Sequence, residues 1–381
     1  MEDPLEVLNP GNIYKANALL LWKHPVHGSE SGLNSPLTCC PNPVVQDDLV
    51  VASIWSPGLV YAVDKTTGER RWRHQLGHLG ATPITAEGSL FVSTSHSLRS
   101  LSPQSGKSRW RMTPPDDEEY IYSLPVYANG SVYIGTSEGW FYSLSAETGK
   151  ELWAVKPSRS WNASVNATAL AFEDLIITAC NARLAVAYDQ LTGQEVWRQR
   201  LPDGSIYQVQ WYDGMVLVRT RKGLYGLSPR TGEILQKWRW RGQKIESVAV
   251  AGSTLCVVVS NEPGRDEKMP PNPRTELLGI QRDGIHWRLP YPRKLGIDLR
   301  WDCESRLLYE ATYYGLGIVD PETGTRHTLV TGFSTDVRWD TGKPDDEIGL
   351  PSIENGILYI LHTSGMLWAL HHPVISSSAC L

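Results

Sequence analysis

Cys39 and Cys40 stand side by side, and whether their thiols are joined is left open by the sequence. Glu246, Asp298 and Arg300 form a second candidate group, since two carboxylates and a guanidinium in one sector could transfer a proton or anchor a ligand. A solvated ion pair is the plainer reading of the same three residues. Asn42 and Gln208 offer amide groups, Asn166 another, and Tyr120, Tyr122 and Trp161 offer aromatic surface, with a hydroxyl on the two tyrosines. Such groups suit a pocket or an interface. Ten histidines include His24/His27 and His371/His372, neither pair with a carboxylate at a metal spacing, so no metal site is expected. The six cysteines lack zinc-ligand spacing. Cys180, Cys256 and Cys303 fall in or beside expected strands and read as buried, inert thiols. No Ser-His-Asp order and no phosphate loop accompanies these residues.

What must position them is a repeat. Ala62 to Trp72 reads AVDKTTGERRW, with the form A-x-D-x-x-T-G-x-x-x-W. Ser100–Trp110 (SLSPQSGKSRW), Ser143–Trp153 (SLSAETGKELW) and Ala187–Trp197 (AYDQLTGQEVW) rewrite it. Weaker copies begin at Gly226, with Trp238 two places late, at Gly279, shortened, and at Ile318, without Trp. A short β-branched run precedes each Thr-Gly and another follows it. Asp, Thr and Gly between them suit a tight hairpin, Gly taking φ > 0 and the Asp or Thr side chain bonding local backbone. Ahead of each copy lies a further hairpin, as at Pro125–Ile134 around Asn129-Gly130 and Val209–Val218 around Asp213-Gly214. Eight such hairpins recur, the last at Pro351–Ile360 around Asn355-Gly356. Each pair of hairpins makes a four-stranded antiparallel unit.

The Trp-bearing copies resemble the tryptophan-docking motif of the PQQ-like β-propeller repeat found in quinoprotein alcohol dehydrogenases, and the likeness runs over nearly the whole chain. The resemblance implies an all-β fold, an eight-bladed β-propeller of four-stranded antiparallel blades in one domain over residues 1–381. The last unit, about 346–373, supplies only three strands before the chain ends. The N-terminal strand, about 17–24, has the spacing of the missing fourth and is expected to close the last blade, removing an exposed edge. Trp72, Trp110, Trp153 and Trp197 should occupy equivalent positions, with Trp161, Trp211, Trp240 and Trp301 outside that column.

Within such a fold the tight turns leave on one face. The long connections, Lys23–Leu37, Thr113–Glu119, Lys156–Trp161, Thr331–Glu347 and the Asn261–Arg274 insertion, leave on the other. Binding is expected on the long-loop face. Asn42, Thr82, Thr168, Gln208, Glu246 and Asp298 precede the innermost strands there, as the lining of a water-filled channel or as a ligand site. Among quinoprotein dehydrogenases adjacent cysteines form a strained ring disulfide over the cofactor, and Cys39-Cys40 invites the comparison. The pair sits closer to its hairpin than in that family, the chain lacks the insertions that wall the quinone, and the calcium ligands and catalytic Asp cannot be placed as a set. Neither PQQ nor calcium is therefore expected.

At 381 residues, 41% hydrophobic with 15 Trp, the chain has ample core material. A net charge of −5 without a basic stripe argues against nucleic acid, and no apolar run reaches the length of a membrane span. Met-Glu-Asp-Pro is acidic where a leader is basic, so the chain reads as cytoplasmic, or as secreted or periplasmic if a leader has been removed. Related repeat propellers occur in an outer-membrane assembly lipoprotein and in extracytoplasmic parts of bacterial kinases. They point to a monomeric, non-enzymatic protein-interaction scaffold. The alternative is a small-molecule enzyme or binder of the cyclase, isomerase or lyase type, without a quinone, using a funnel on the long-loop face. A PQQ-dependent dehydrogenase ranks last.

Overall fold

The computed structural model describes residues 12–15, 19–25, 42–54, 58–116, 119–121, 123–160, 163–261, 275–291, 297–312, 315–331, 349–362 and 366–373. Cys39, Cys40, Tyr122, Trp161 and the insertion between Asn261 and Thr275 lie outside them.

The local chemistry of each hairpin is visible in its backbone. Glu87, Asn129, Asp213 and Asn355 take positive φ, and each is followed by a positive-φ Gly at 88, 130, 214 or 356. Two successive left-handed residues are what a two-residue hairpin of matching twist requires. At the second hairpin, the Thr66 and Thr67 amides donate to Asp64 Oδ1 at 2.9 and 2.8 Å. Asp189 repeats this with Leu191 and Thr192, and Asp320 with Glu322 and Thr323. The Asp of the repeat is thus a turn residue that binds its own backbone.

These hairpins join into eight antiparallel sheets whose strands follow sequence order. The second strand of a blade reads as continuous apolar sequence because it is covered on both faces: Leu49–Ile54 and Leu175–Cys180 are buried at every residue. The last sheet holds Ser352–Glu354, Ile357–His362 and Met366–His371, and its outer strand is Leu20–Pro25 from the N-terminus. Leu20 pairs with Leu370 and Trp22 with Ala369, antiparallel. The fold is an eight-bladed β-propeller closed by its N-terminal strand. Among the described residues no helix is long and apolar enough to cross a membrane.

One feature departs from four strands per blade. The seventh sheet has a fifth strand, Asn12–Lys15, running parallel to the outer strand Arg326–Thr331. An outermost strand presents unpaired amides and carbonyls, and the N-terminal segment satisfies some of them there.

The chain divides into two compact units. The first is Met1–Ile54, Tyr61–Arg71 and Gly242–Leu381; the second is Trp55–Val60 and Trp72–Arg241. In the first unit Tyr309, Leu316, Ile318, Leu358, Ile360 and Trp368 form one buried cluster. In the second, Tyr133, Phe141, Trp153, Val186 and Tyr188 form another.

Within each unit the repeat Trp does the same work. Trp22 Nε1 donates to Lys65 O at 3.0 Å, Trp72 to Pro103 O at 2.6 Å and Trp110 to Ala146 O at 2.9 Å. Trp153 reaches Gln190 O at 2.9 Å, Trp197 Pro229 O at 2.8 Å and Trp287 Pro321 O at 2.8 Å. The acceptor is always three residues before a Thr-Gly or Ser-Gly glycine, and the ring lies on that glycine. A Cβ added at Gly193 would stand 2.7 Å from the Trp153 ring, so the position must be Gly for space as well as for φ. Trp238 is not in this column: Gln236 pairs with Gly226 where the other blades have Trp, and Trp238 meets the edge of Tyr212 instead. Thr328 fills the place in the seventh blade, opposite Ile318.

Candidate functional site

In the first unit the inner strands carry polar groups that are each engaged. Asn42 is half-buried just before Val44–Gln46. Glu246 sits at a bulge in Gln243–Ala251, where Lys244 Nζ approaches to 2.7 Å and Ser260 Oγ donates at 2.5 Å. Arg300 is directed to Ser352 Oγ at 3.5 Å, and that hydroxyl donates to Pro43 O. Burial lowers the Arg300 pKa from its usual range. Asp298, exposed, begins its strand. Lys244, Glu246 and Ser260 are thus brought together, while Arg300 joins a different set with Ser352 and Pro43.

Cys180 and Cys256 are buried thiols, and burial pushes both pKa values up. Cys303 is exposed, against expectation. The reason is its place in the turn between Asp298–Asp302 and Leu307–Thr312, where the Ser305 amide donates to Asp302 Oδ2 at 2.7 Å and the Cys side chain is left outward.

In the second unit Tyr120 is 37% exposed, with its ring 4.6 Å from that of His96. Its amide donates to Ser137 Oγ at 2.9 Å, fixing the connection between the second and third blades to the next hairpin. The preceding Glu119 is buried and accepts a hydrogen bond from Thr136 Oγ1. Loss of hydration raises its pKa. Asn166 is exposed and donates to Ser164 Oγ at 3.3 Å. Gln208 lies between Arg219, which donates to its Oε1 at 3.3 Å, and Gln210, whose Oε1 it binds at 3.3 Å. Arg219 also stands 5.1 Å over Tyr207, which is 49% exposed.

A cleft of about 790 Å³ opens in this unit, lined by Lys156, Pro157, Ser158, Arg159, Leu184, Arg198 and Arg200. One wall is the connection that leaves the third blade after Glu151–Val155. The other is Glu195–Arg200, the outer strand of the fourth blade. Side chains two apart on a strand share a face, so Arg198 and Arg200 lie on one face while Trp197 points the other way into the core; Val196 is the extra residue of a bulge. Arg198 is paired with Glu195 through two of its guanidinium nitrogens, Nε and Nη2. Among the described residues no carboxylate pairs with Lys156, Arg159 or Arg200. Lys156 Nζ stands 4.8 Å over the Trp140 ring. Neither Arg198 nor Arg200 stands out among the motif residues. Their one signal in the sequence is the basic alternation that follows Trp197, which the repeat pattern alone does not distinguish from an ordinary outer strand.

A quinone site of the dehydrogenase kind would draw on Cys39-Cys40, a catalytic carboxylate and metal ligands. The two cysteines lie outside the described residues, Glu246 is engaged by Lys244 and Ser260, and no group of three or more His, Cys, Asp or Glu among the described residues could hold a metal ion.

The family model described as outer membrane protein assembly factor BamB, a PQQ-type repeat, matches residues 56–177 and 137–293. BamB of Yersinia pestis is 29% identical over 235 residues, 54% of this chain and 58% of that protein. The serine/threonine-protein kinase AfsK of Streptomyces coelicolor is 31% identical over 163 residues, 43% of this chain and 19% of the kinase. The match thus spans less than two thirds of either relative. Among solved structures, quinohemoprotein alcohol dehydrogenase from Comamonas testosteroni superposes with a TM-score of 0.68 at 12% identity, covering 93% of this chain and 76% of that one. At that identity the likeness is one of fold.

Proposed function

We propose that this chain, which belongs to the PQQ-type repeat family described as outer membrane protein assembly factor BamB, is a non-enzymatic protein-interaction scaffold. The observation that carries the reading is how the polar groups are spent. Glu246 is held by Lys244 and Ser260, Arg300 by Ser352, and Glu119 by Thr136. Each is neutralised or hydrogen-bonded by a neighbour within its own or the adjacent blade, as a rigid platform needs. Tyr120, Tyr207 and the cleft cations present exposed aromatic and basic surface to a partner. The reading calls on no quinone and no metal.

In the second unit the proposed binding face is the one from which the long connections leave, carrying Tyr120, Asn166 and Gln208; Asn42 holds the corresponding place before an inner strand in the first unit, and Cys39, Cys40, Tyr122 and Trp161, assigned to that face from the sequence, lie outside the described residues. The relatives' name, an outer membrane protein assembly factor, supports a working place in the cell envelope outside the cytoplasm. It favours the secreted or periplasmic alternative over the cytoplasmic one.

The test is photocrosslinking in the native cell. A crosslinker at Tyr120 or Asn166 should trap a partner protein, and one at Glu147 or Lys150, in a tight turn of the third blade, should not. Capture only from the turn positions would invert the face. A small molecule copurifying with the protein, and turned over by it, would replace the scaffold by an enzyme.

A further inference from the structure

We propose that the cleft between the third-blade exit, Lys156–Arg159, and the outer strand of the fourth blade, Glu195–Arg200, binds an extended acidic segment of a partner protein. The inference rests on the scaffold reading and names the partner's chemistry.

Four cations line or enter one concave space of about 790 Å³: Lys156, Arg159, Arg198 and Arg200. The chain as a whole carries a net charge of −5, so this concentration runs against the average. Charge of one sign gathered in a cleft attracts the opposite sign and selects for it. The shape argues for an extended occupant. Arg198 and Arg200 project from the same face of one strand, two residues apart, a spacing that matches alternate side chains of another extended chain. Glu195–Arg200 is also the outermost strand of its sheet, pairing inward only with Leu184–Asp189. Its free edge can hydrogen-bond the backbone of an added strand. Guanidinium groups then take carboxylates in paired hydrogen bonds, which places the register.

Glu195 sets the strength of the site. Its two oxygens accept from Arg198 Nε and Nη2, and the Arg198 side chain is still 49% exposed. An arriving carboxylate competes with Glu195 for that guanidinium. Removing the Glu195 charge should therefore tighten binding, an effect opposite to that of removing a contact.

The experiment is fluorescence anisotropy with the full chain and a labelled extended peptide in which Glu alternates with Val and Thr; the control peptide has Gln for Glu. Binding of the Glu peptide should weaken about tenfold or more for Lys156→Gln with Arg200→Gln, and should fall as salt rises to roughly 0.5 M. Glu195→Gln should strengthen it several-fold. Circular dichroism melts establish that each variant is folded, and Arg159→Gln, at the exposed rim, serves if the double variant is not. Equal affinity for the Gln peptide, or an unchanged double variant, overturns the proposal. So does displacement by inorganic phosphate at millimolar concentration, which would make the cleft a small-anion site. If Tyr120 crosslinks a partner while cleft variants bind peptide unchanged, the scaffold reading stands and the cleft assignment alone falls.

Discussion

Trp22 Nε1 donates to the Lys65 carbonyl at 3.0 Å, linking the outer strand of the last blade to the second hairpin of the first. The ring also lies on Gly68, where an added Cβ would stand 2.6 Å from it. Lys65 reinforces the join from the other side, with Nζ at 2.5 Å from Glu354 Oε2. The N-terminal strand therefore carries the same contact that Trp72, Trp110, Trp153 and Trp197 make along the chain. Closure is one more use of the repeat, supplied from the opposite terminus.

Trp22→Ala should lower stability by about 2–4 kcal/mol, the cost of emptying a partly buried aromatic site. Urea denaturation followed by tryptophan fluorescence measures it. Lys65→Met, which removes the half-buried ion pair and keeps the carbonyl, should change stability by about 1 kcal/mol. A Trp22→Ala protein as stable as the parent would mean that the strand is not needed for closure.

Trp153→Ala should cost about 3–5 kcal/mol, because the ring is 9% exposed and its nitrogen bonds Gln190 O. Trp238→Ala should cost distinctly less, since Trp238 stands outside the column, half-buried against the edge of Tyr212. The same thermal or urea melts compare the two. This contrast marks what could be read in advance. The Asp-x-x-Thr-Gly-x-x-x-Trp spacing encodes a local turn and a fixed distance to the next ring, so four column positions and the fold were legible. Trp287 was legible only as a shortened copy: its hairpin, Gln281↔Gly284, lacks the residues that make the longer turn. Side-chain partners across the sheet leave no such trace. Nothing local in the sequence says that Arg198 and Arg200 face Lys156 and Arg159, because that meeting depends on how two blades pack.

Glu310 and Arg326 form a buried pair, 1% and 5% exposed, with Arg326 Nε donating to Glu310 Oε1 at 2.5 Å and Tyr291 also donating to the carboxylate. The pair is desolvated, so breaking it by Glu310→Gln should cost about 3–5 kcal/mol, more than any exposed pair. Glu310→Leu with Arg326→Met should recover part of that loss, since no charge is then left alone. Gly317→Ala should also destabilise, its new methyl falling 2.1 Å from Glu310 Oε1. Urea midpoints for the three variants decide it; a double variant less stable than Glu310→Gln would contradict the account.

His372 gives the chain an acid-sensitive step. Its ring is fully buried and its Nε2 lies 2.5 Å from Tyr309 Oη, which also meets Ser305 Oγ at 3.2 Å. Burial disfavours the imidazolium and lowers the pKa from 6.5 to about 4, only partly opposed by Asp302. A base whose pKa is depressed by folding binds its proton more readily when unfolded. The contribution is therefore complete above about pH 6.5 and is lost as pH falls toward 4, to a limit of roughly 3 kcal/mol. Other groups titrate in that range, so the comparison must be made against a variant. His372→Gln keeps a polar group near Tyr309 without a titrating one, and should show a flatter loss of stability between pH 6.5 and 4 than the parent. Urea midpoints measured across that interval give both slopes, and parallel slopes would remove His372 from the acid response.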